Sequence, residues 1–522
     1  MRRRIYDDLV KWKNDPDRKP LLLEGVRQCG KTYILKEFGK RNYASTIYFN
    51  FEKDKGIDQM FDGELDPMRI IKLMTQLKSK QITEGSTLII LDEVQIVPRA
   101  LISLKYFCEE APGYHIVCAG SLLGLLTSKP DSFPVGKVDR LTMYPMDFLE
   151  FLYANEEDGL VEFIESRGID EKIPGIFHSR LSSYLDEYYF TGGMPSAVKS
   201  WVSNHDPLKV NHILENILSD YRDDFAKHSG TELSKVLSIW DALPGELAKE
   251  NRKFVFSHVM KGARSDNMME AIMWIVNAGL AHRVCCVEEP SVPLQNASDR
   301  TSFKLYASDV GLLRVMSDRN SHVGTDPDED KIYRGAAAEN FVVCQMLASG
   351  LKEAFYWKDK NYEVDFLMDT DSGPVPVEVR SGENTNATSM KMYMERYSPE
   401  RAFLASMSDE TGGRYGRIPL YCSGRMLPMC TSVQTEDVGK TVRKKDAVWR
   451  MFFDEDDWEN DEDVFTLSIP RKVHGMKKPT SIKVFYRDMD MYTHVDVETS
   501  IDLAGNVMIG YREPFAGFVE IS

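Results

Sequence analysis

The sequence predicts a multidomain α/β protein, and three observations carry that prediction. The chain has 522 residues, more than one hydrophobic core accommodates. Residues 25–32 read GVRQCGKT, a match to G-x-x-x-x-G-K-[ST], with an apolar strand-like run before it and a helical segment after it. Beyond about residue 430 the composition changes, and short strand-like runs replace the alternation of strands and helices.

Composition is that of an ordinary globular chain, 43% hydrophobic and 28% charged. It contains no run of about 20 apolar residues, so no membrane span is expected. The start, MRRRIYDDLVKWKND, is basic but lacks the apolar stretch of a signal peptide; Ile5, Leu9 and Trp12 fall at helical spacing. The eight cysteines form no C-x-x-C pair, and the adjacent Cys285 and Cys286 point to opposite faces of a strand. That pattern predicts neither zinc nor a disulfide framework, and a cytoplasmic location. A net charge of −16 argues against wholesale nucleic-acid binding but leaves room for a local basic patch.

The first domain is read as residues 1–154. Its first strand, PLLLE, leads into the loop, and a helix from Lys31 is expected to stop near Gly39. The loop's N–H groups, including those of Gly25 and Gly30, and the helix N-terminus suit phosphate oxygens. Lys31 is expected to reach the β- and γ-phosphates of ATP, and the Thr32 hydroxyl to ligate Mg²⁺. A second strand reads STIYFNFE and a third STLIILDEVQ. The third ends in Asp92 and Glu93, at the edge where open α/β sheets place their ligands. Asp92 is assigned to Mg²⁺, and Glu93 to the attacking water. Two solvated acids ending a strand would look the same in isolation; the loop upstream decides between the readings. The fourth strand, YHIVCAGSLL, ends near Ser121, nominated to position the water; its bland alternative is a helix N-cap. A fifth strand is placed at residues 138–143. Cys29, beside the helix N-terminus, is taken as a small loop filler, with redox control the lesser alternative.

The segments GVRQCGKT, IILDEVQ, CAGS, YPMDFLEFL and YFTGGMPSAV resemble a group of bacterial and archaeal AAA-type P-loop ATPases. Their C-terminal part is a domain of unknown function with a PD-(D/E)XK nuclease-like core. The resemblance covers roughly residues 1–428. It implies a five-stranded ATPase core, a helical lid at 155–235, a winged helix at 236–325 and the nuclease-like domain at 326–428. It also implies that the turn TGGMP brings Gly193 and Pro195 close to the nucleotide; an ordinary interhelical turn is the alternative.

In the winged-helix segment, helices are expected around 233–242, 256–261 and 267–278. Gly279 ends the third, and the strands AHRVCCVEE and SFKLYASD form the wing. The third helix, SDNMMEAIMWIVNAG, carries no lysine or arginine for base edges, so packing or nucleotide sensing is preferred over DNA reading. Arg264 is the lid's candidate phosphate contact. In YEVDFLM and VPVEVRS, Asp365 shares a strand face with Glu363, and Glu378 with Arg380; Glu339 lies on the preceding helix. In the resembled nucleases an Asp, a Glu and a Lys stand in this arrangement, and the carboxylates hold a metal. Here Arg380 replaces the lysine and cannot act as a base. Binding or packing is therefore preferred over cleavage. Residues 429–522 are read as an antiparallel β-domain that takes a protein partner, with the acidic run 454–463 a solvated loop and a hairpin turn at 504–506.

The expected function is a Mg²⁺-dependent ATPase that couples nucleotide state to its C-terminal modules. The alternatives are a metal-dependent DNA nuclease or DNA-binding protein under ATPase control, and a scaffold that binds nucleotide without hydrolysing it. No arginine finger is assigned. Lys137 and Arg140 lie near the expected place, and a finger supplied in trans would require a homo-oligomer.

Overall fold

The computed structural model describes residues 1–121, 134–168, 171–228, 232–249, 253–259, 265–317, 327–382, 387–408, 415–431 and the β-strands between 449 and 521. Arg264, the hairpin turn at 504–505 and the acidic residues 454–458 and 462–463 lie outside them. Two compact units are present, Met1–Ser432 and Val433–Ser522.

The first unit begins with α1 (Ile5–Asn14), whose Leu9 and Trp12 are buried as the spacing requires. Five strands follow: β1 (Leu21–Gly25), β2 (Ser45–Asn50), β3 (Thr87–Asp92), β4 (His115–Ser121) and β5 (Asp139–Met143). They form one parallel sheet in the order β2-β3-β4-β1-β5. β3 is buried along its whole length, as a strand covered on both faces must be. Between the strands run α2 (Lys31–Asn42), α3 (Pro67–Lys78) and α4 (Pro98–Glu110). The expected stop of α2 at Gly39 is corrected: the helix runs through it. A Cβ on Gly39 would lie 2.6 Å from Thr46 Oγ1 and 3.2 Å from Leu88 Cδ2. This glycine serves close packing on the sheet and does not end the helix.

A run of helices comes next: α5 (Phe148–Ala154), α6 (Asp158–Ser166), α7 (Gly175–Thr191), α8 (Pro195–Asn204) and α9 (Pro207–His228). Asp147 caps α5 in a full capping box with Glu150. Then come α10 (Leu233–Leu247) and α11 (Ser265–Asn277). After α11, Gly279 takes a left-handed φ of 73°, and its N–H donates to the Val276 carbonyl, as a C-terminal cap does. In and beside α11, Met268, Ala271, Ile272 and Ile275 are buried, and the helix packs on α10.

The strands expected to form a wing, β6 (Ala281–Val287) and β7 (Ser298–Ala307), pair with each other and also join a larger sheet. That sheet adds β8 (Ala354–Asp359), β9 (Tyr362–Thr370), β10 (Gly373–Val379), β11 (Phe403–Ser406) and β12 (Gly416–Pro419), in the order β12-β11-β10-β9-β8-β6-β7. Pairing is mixed: β6 with β8 and β10 with β11 are parallel, while β8–β9 and β9–β10 are antiparallel. Helices α12 (Val310–Met316), α13 (Pro327–Ala348) and α14 (Thr388–Tyr397) accompany it. No helix among the described residues is long and apolar enough to cross a membrane.

Among its described residues, the second unit contains two four-stranded antiparallel sheets. Leu467, Ile469, Val484, Val507, Ile509 and Val519 form its core. Within the acidic run, Glu459–Asp461 is a strand paired with Val464–Ile469, not the loop its charge implied. Backbone pairing with a neighbour outweighs the poor strand propensity of Glu, Asn and Asp there.

Candidate functional site

Strand register assembles the site at the carboxyl edge of the parallel sheet. Asn50 stands opposite Asp92, Asp92 opposite Ala119, and Gly25 opposite Ser121. The loop between Gly25 and Lys31 rises from this edge. Gly30 has φ 103° and Gln28 φ 67°, so two left-handed residues fold the loop back over the start of α2. A Cβ on Gly25 would meet the Met143 carbonyl oxygen at 2.3 Å, so the backbone needs glycine there.

Lys31 is buried, and its Nζ donates to the carbonyls of Gly25 at 2.8 Å and Val26 at 2.9 Å. These are neutral acceptors, which a phosphate oxygen outcompetes through its charge. Thr32 Oγ1 donates to Asp92 Oδ2 at 2.8 Å. The same oxygen accepts from Tyr48 Oη at 2.7 Å and lies 3.4 Å from Asn50 Nδ2. Asp92 is 2% exposed, and these donors hold its carboxylate. A hydroxyl and a buried carboxylate converging in this way suit Mg²⁺. That ion takes few protein ligands beside phosphate and water. Glu93 follows at φ 55°, an uncommon conformation for a non-glycine residue, and its Oε2 accepts from Gln95 Nε2 at 2.6 Å. That bond aims the carboxylate. Cys29 is fully buried behind the loop.

Residues far away in sequence complete the setting. Arg3 is 6% exposed and reaches three partners: Glu150 Oε2 at 2.8 Å, the Cys29 carbonyl at 2.8 Å and the Tyr144 carbonyl at 2.6 Å. Arg4 Nη1 pairs with Asp147 Oδ2 at 2.9 Å. Nothing in MRRR distinguishes these arginines from a solvated basic start. On the other side, Arg27 Nη1 meets Asp224 Oδ1 at 2.5 Å and Gln28 Nε2 meets Asp220 Oδ2 at 2.7 Å, tying the loop to α9.

The turn at Gly192 and Gly193 packs beside this site. The Gly193 N–H donates to Asp309 Oδ2 at 2.5 Å, and its carbonyl accepts from Met146 N–H at 2.7 Å. Pro195 begins α8, and a Cβ built on Gly30 would lie 3.6 Å from its Cγ. Asp309 is 2% exposed, and burial raises its carboxyl to about 6 against the pull of the N–H groups of Gly193, Leu312 and Gly311. Lys137 pairs with Glu109 at 3.0 Å, and Arg140 Nη1 lies 3.5 Å from Glu24 Oε2.

A second polar cluster lies on the seven-stranded sheet. Asp365 Oδ2 accepts from the Val379 N–H at 2.8 Å and stands 3.8 Å from Arg380 Nη1. Arg380 Nη2 bonds Glu378 Oε1. Glu378 is 2% exposed, and burial pushes its carboxyl up to about 8. Glu339 Oε2 accepts from Tyr306 Oη at 2.9 Å. Lys304, fully buried on β7, pairs with Glu363 Oε1 at 2.7 Å. It was hidden in SFKLYASD because one charge in an apolar strand carries no motif. Asp365 and Glu378 are thus brought together, but they share a guanidinium. Among the described residues, no group of three or more carboxylate, imidazole or thiol side chains is arranged to hold a metal ion. Asp365, Glu378 and Glu339, as placed, do not surround a cation.

Residues 17–152 match a family described as an AAA domain. Residues 182–323 and 334–422 match two domains of unknown function. An uncharacterized protein of Methanocaldococcus jannaschii is 24% identical over 352 residues, 66% of this chain and 71% of that protein. Among solved structures, a Walker-type ATPase of Pyrococcus abyssi is similar at 14% identity and a TM-score of 0.39, covering 61% of this chain and 95% of that one. The ORC2 protein of Aeropyrum pernix, in ADPNP–ADP complexes, is similar at 14% identity and a TM-score of 0.31, covering 61% of this chain and 91% of that one.

Proposed function

We propose that this protein, whose residues 17–152 match a family described as an AAA domain, is a Mg²⁺-dependent ATPase that relays its nucleotide state to the modules behind that segment. The observation that carries the reading is the convergence of Thr32 Oγ1 and Asp92 Oδ2 at 2.8 Å beside Lys31, at the ligand edge of the sheet. In this reading Lys31 and the loop N–H groups hold the phosphates. Thr32 and Asp92 hold Mg²⁺, which neutralises phosphate charge when bound. Glu93, oriented by Gln95, takes a proton from the attacking water, and Ser121 helps position that water. Relay is supported by proximity: a Cβ built on Gly30 would lie 3.6 Å from Pro195 Cγ, and the Gly193 N–H donates to Asp309 at the head of α12. The proposed setting is the cytoplasm, supported by eight cysteines that are all free thiols.

The test is multi-turnover phosphate release by the full chain, with and without DNA and at several protein concentrations. Parent activity with loss in both Lys31→Ala and Glu93→Gln is expected. Unchanged release by both variants would sink the assignment. Nucleotide binding without release would favour the scaffold alternative. Stimulation by DNA, or a steep rise with protein concentration, would identify DNA or a second copy of the chain as a partner. A DNA-cleaving reading has less support, because Arg380 ties up both Asp365 and Glu378.

A further inference from the structure

We propose that Arg27 is the γ-phosphate cation of this site, supplied by the chain's own loop and held by Asp224 of α9 until ATP arrives. The inference rests on the nucleotide-binding reading of the loop.

Arg27 is the third residue of the phosphate loop, directly after the two carbonyls that hold Lys31. It shares a small pocket with Ser121, Tyr221 and Asp224, and Glu93 is near enough for its charge to act on the guanidinium. Arg27 therefore lines the same pocket as Ser121, one of the nominated water-handling residues. Its side chain is 44% exposed, whereas Asp224 is 8% exposed. The arginine can swing; the carboxylate cannot follow it into water. Tyr221 Oη donates to the Arg27 carbonyl at 3.1 Å, and Gln28 pairs with Asp220, so one stretch of α9 reads the loop at three points.

The exchange has a definite sign. A terminal phosphate offers more charge than one carboxylate and accepts a guanidinium through two oxygens. When ATP enters, Arg27 turns to the γ-phosphate and Asp224 is left buried, unpaired and close to an anion. That state is costly, and moving α9 away relieves it. ADP carries no γ-phosphate and leaves the Arg27–Asp224 bridge in place. The same residue then stabilises charge in the transition state and reports the presence of the third phosphate to the lid.

The test compares Arg27→Ala, Arg27→Lys and Asp224→Asn in the full chain. ADP and the non-hydrolysable analogue ADPNP are titrated calorimetrically, and phosphate release from ATP is followed. Arg27→Ala should lower the preference for ADPNP over ADP by about tenfold or more, with ADP affinity changed less than about threefold. Its turnover should fall by about 100-fold or more. Lysine should restore part of the preference but little of the turnover, because the planar fork is lost. Asp224→Asn should raise the preference for ADPNP. Specific activity should stay constant over about a hundredfold range of protein concentration, as for a cation supplied in cis. A purely structural tie would weaken ADP and ADPNP equally in both the Arg27→Ala and Asp224→Asn variants, and that result overturns the proposal. Activity rising with protein concentration, with Arg27→Ala as fast as the parent, overturns it too. If the parent releases no phosphate, the hydrolase reading fails, yet the ratio of the two affinities still decides the role of Arg27.

Discussion

Replacing Arg3 with alanine should release α1 from the nucleotide loop, and the size of the effect follows from the geometry. Arg3 is 6% exposed and Glu150 is 4% exposed, so their pair is shielded from water. Removing one partner of a buried pair costs about 3–5 kcal/mol, because the other charge is stranded. Here Glu150 keeps the N–H of Arg4 at 2.6 Å and of Asp147 at 3.3 Å. Two surviving donors, and a carboxyl that burial already raises to about 7 and that can take up a proton once Arg3 is gone, place the cost at the lower end, about 3 kcal/mol. Local opening then becomes about 100-fold more frequent. Amide hydrogen exchange of peptides covering residues 5–14 and 143–152 measures this directly, and peptides from β10 and β11 serve as the unaffected control. A double variant, Arg3→Met with Glu150→Gln, should recover most of the protection, since neither side is left charged. Exchange within about threefold of the parent in Arg3→Ala would refute the reasoning, as would a double variant no better than the single one.

Asp309 sets a pH dependence. Burial raises its carboxyl from 3.8 to about 6, so the folded chain keeps a proton that the unfolded chain has already released. Stability therefore falls as pH rises from about 4 to 6, by up to about 3 kcal/mol. Denaturant midpoints across this window should fall less steeply with pH in Asp309→Asn than in the parent; identical slopes would refute the assignment. At Gly193, an added Cβ would lie 2.0 Å from the Met146 carbonyl oxygen and 2.8 Å from its nitrogen. Backbone atoms yield little, so Gly193→Ala should cost about 3 kcal/mol and weaken nucleotide binding. Melting and nucleotide titration at the parent's values would show that the turn adapts.

What could be read from the sequence is what depends on neighbours along the chain. The strand–loop–helix order around residues 25–32 and the acid pair at Asp92 and Glu93 are local patterns, set by side-chain period and backbone freedom. Gly39 shows where that reasoning stops: a glycine in a helix looks like an end, until the approach of Thr46 shows it to be a packing surface. Glu459–Asp461 pairs with the strand that begins at Val464, a local partner its charge obscured, whereas the joining of β6 and β7 to strands from residues 354–419 depends on partners elsewhere in the chain. So do the roles of charges. Arg3, Asp309 and Lys304 carry no motif, yet each is buried, and each is held by a group at least 59 residues away or by backbone N–H groups across a turn. The sequence by itself determined which residues can cradle phosphate. Tertiary structure alone decided which charges lose their water. A buried charge persists only where a partner is brought to it, and for Arg3 and Lys304 the partner carboxylate comes from a distant part of the chain.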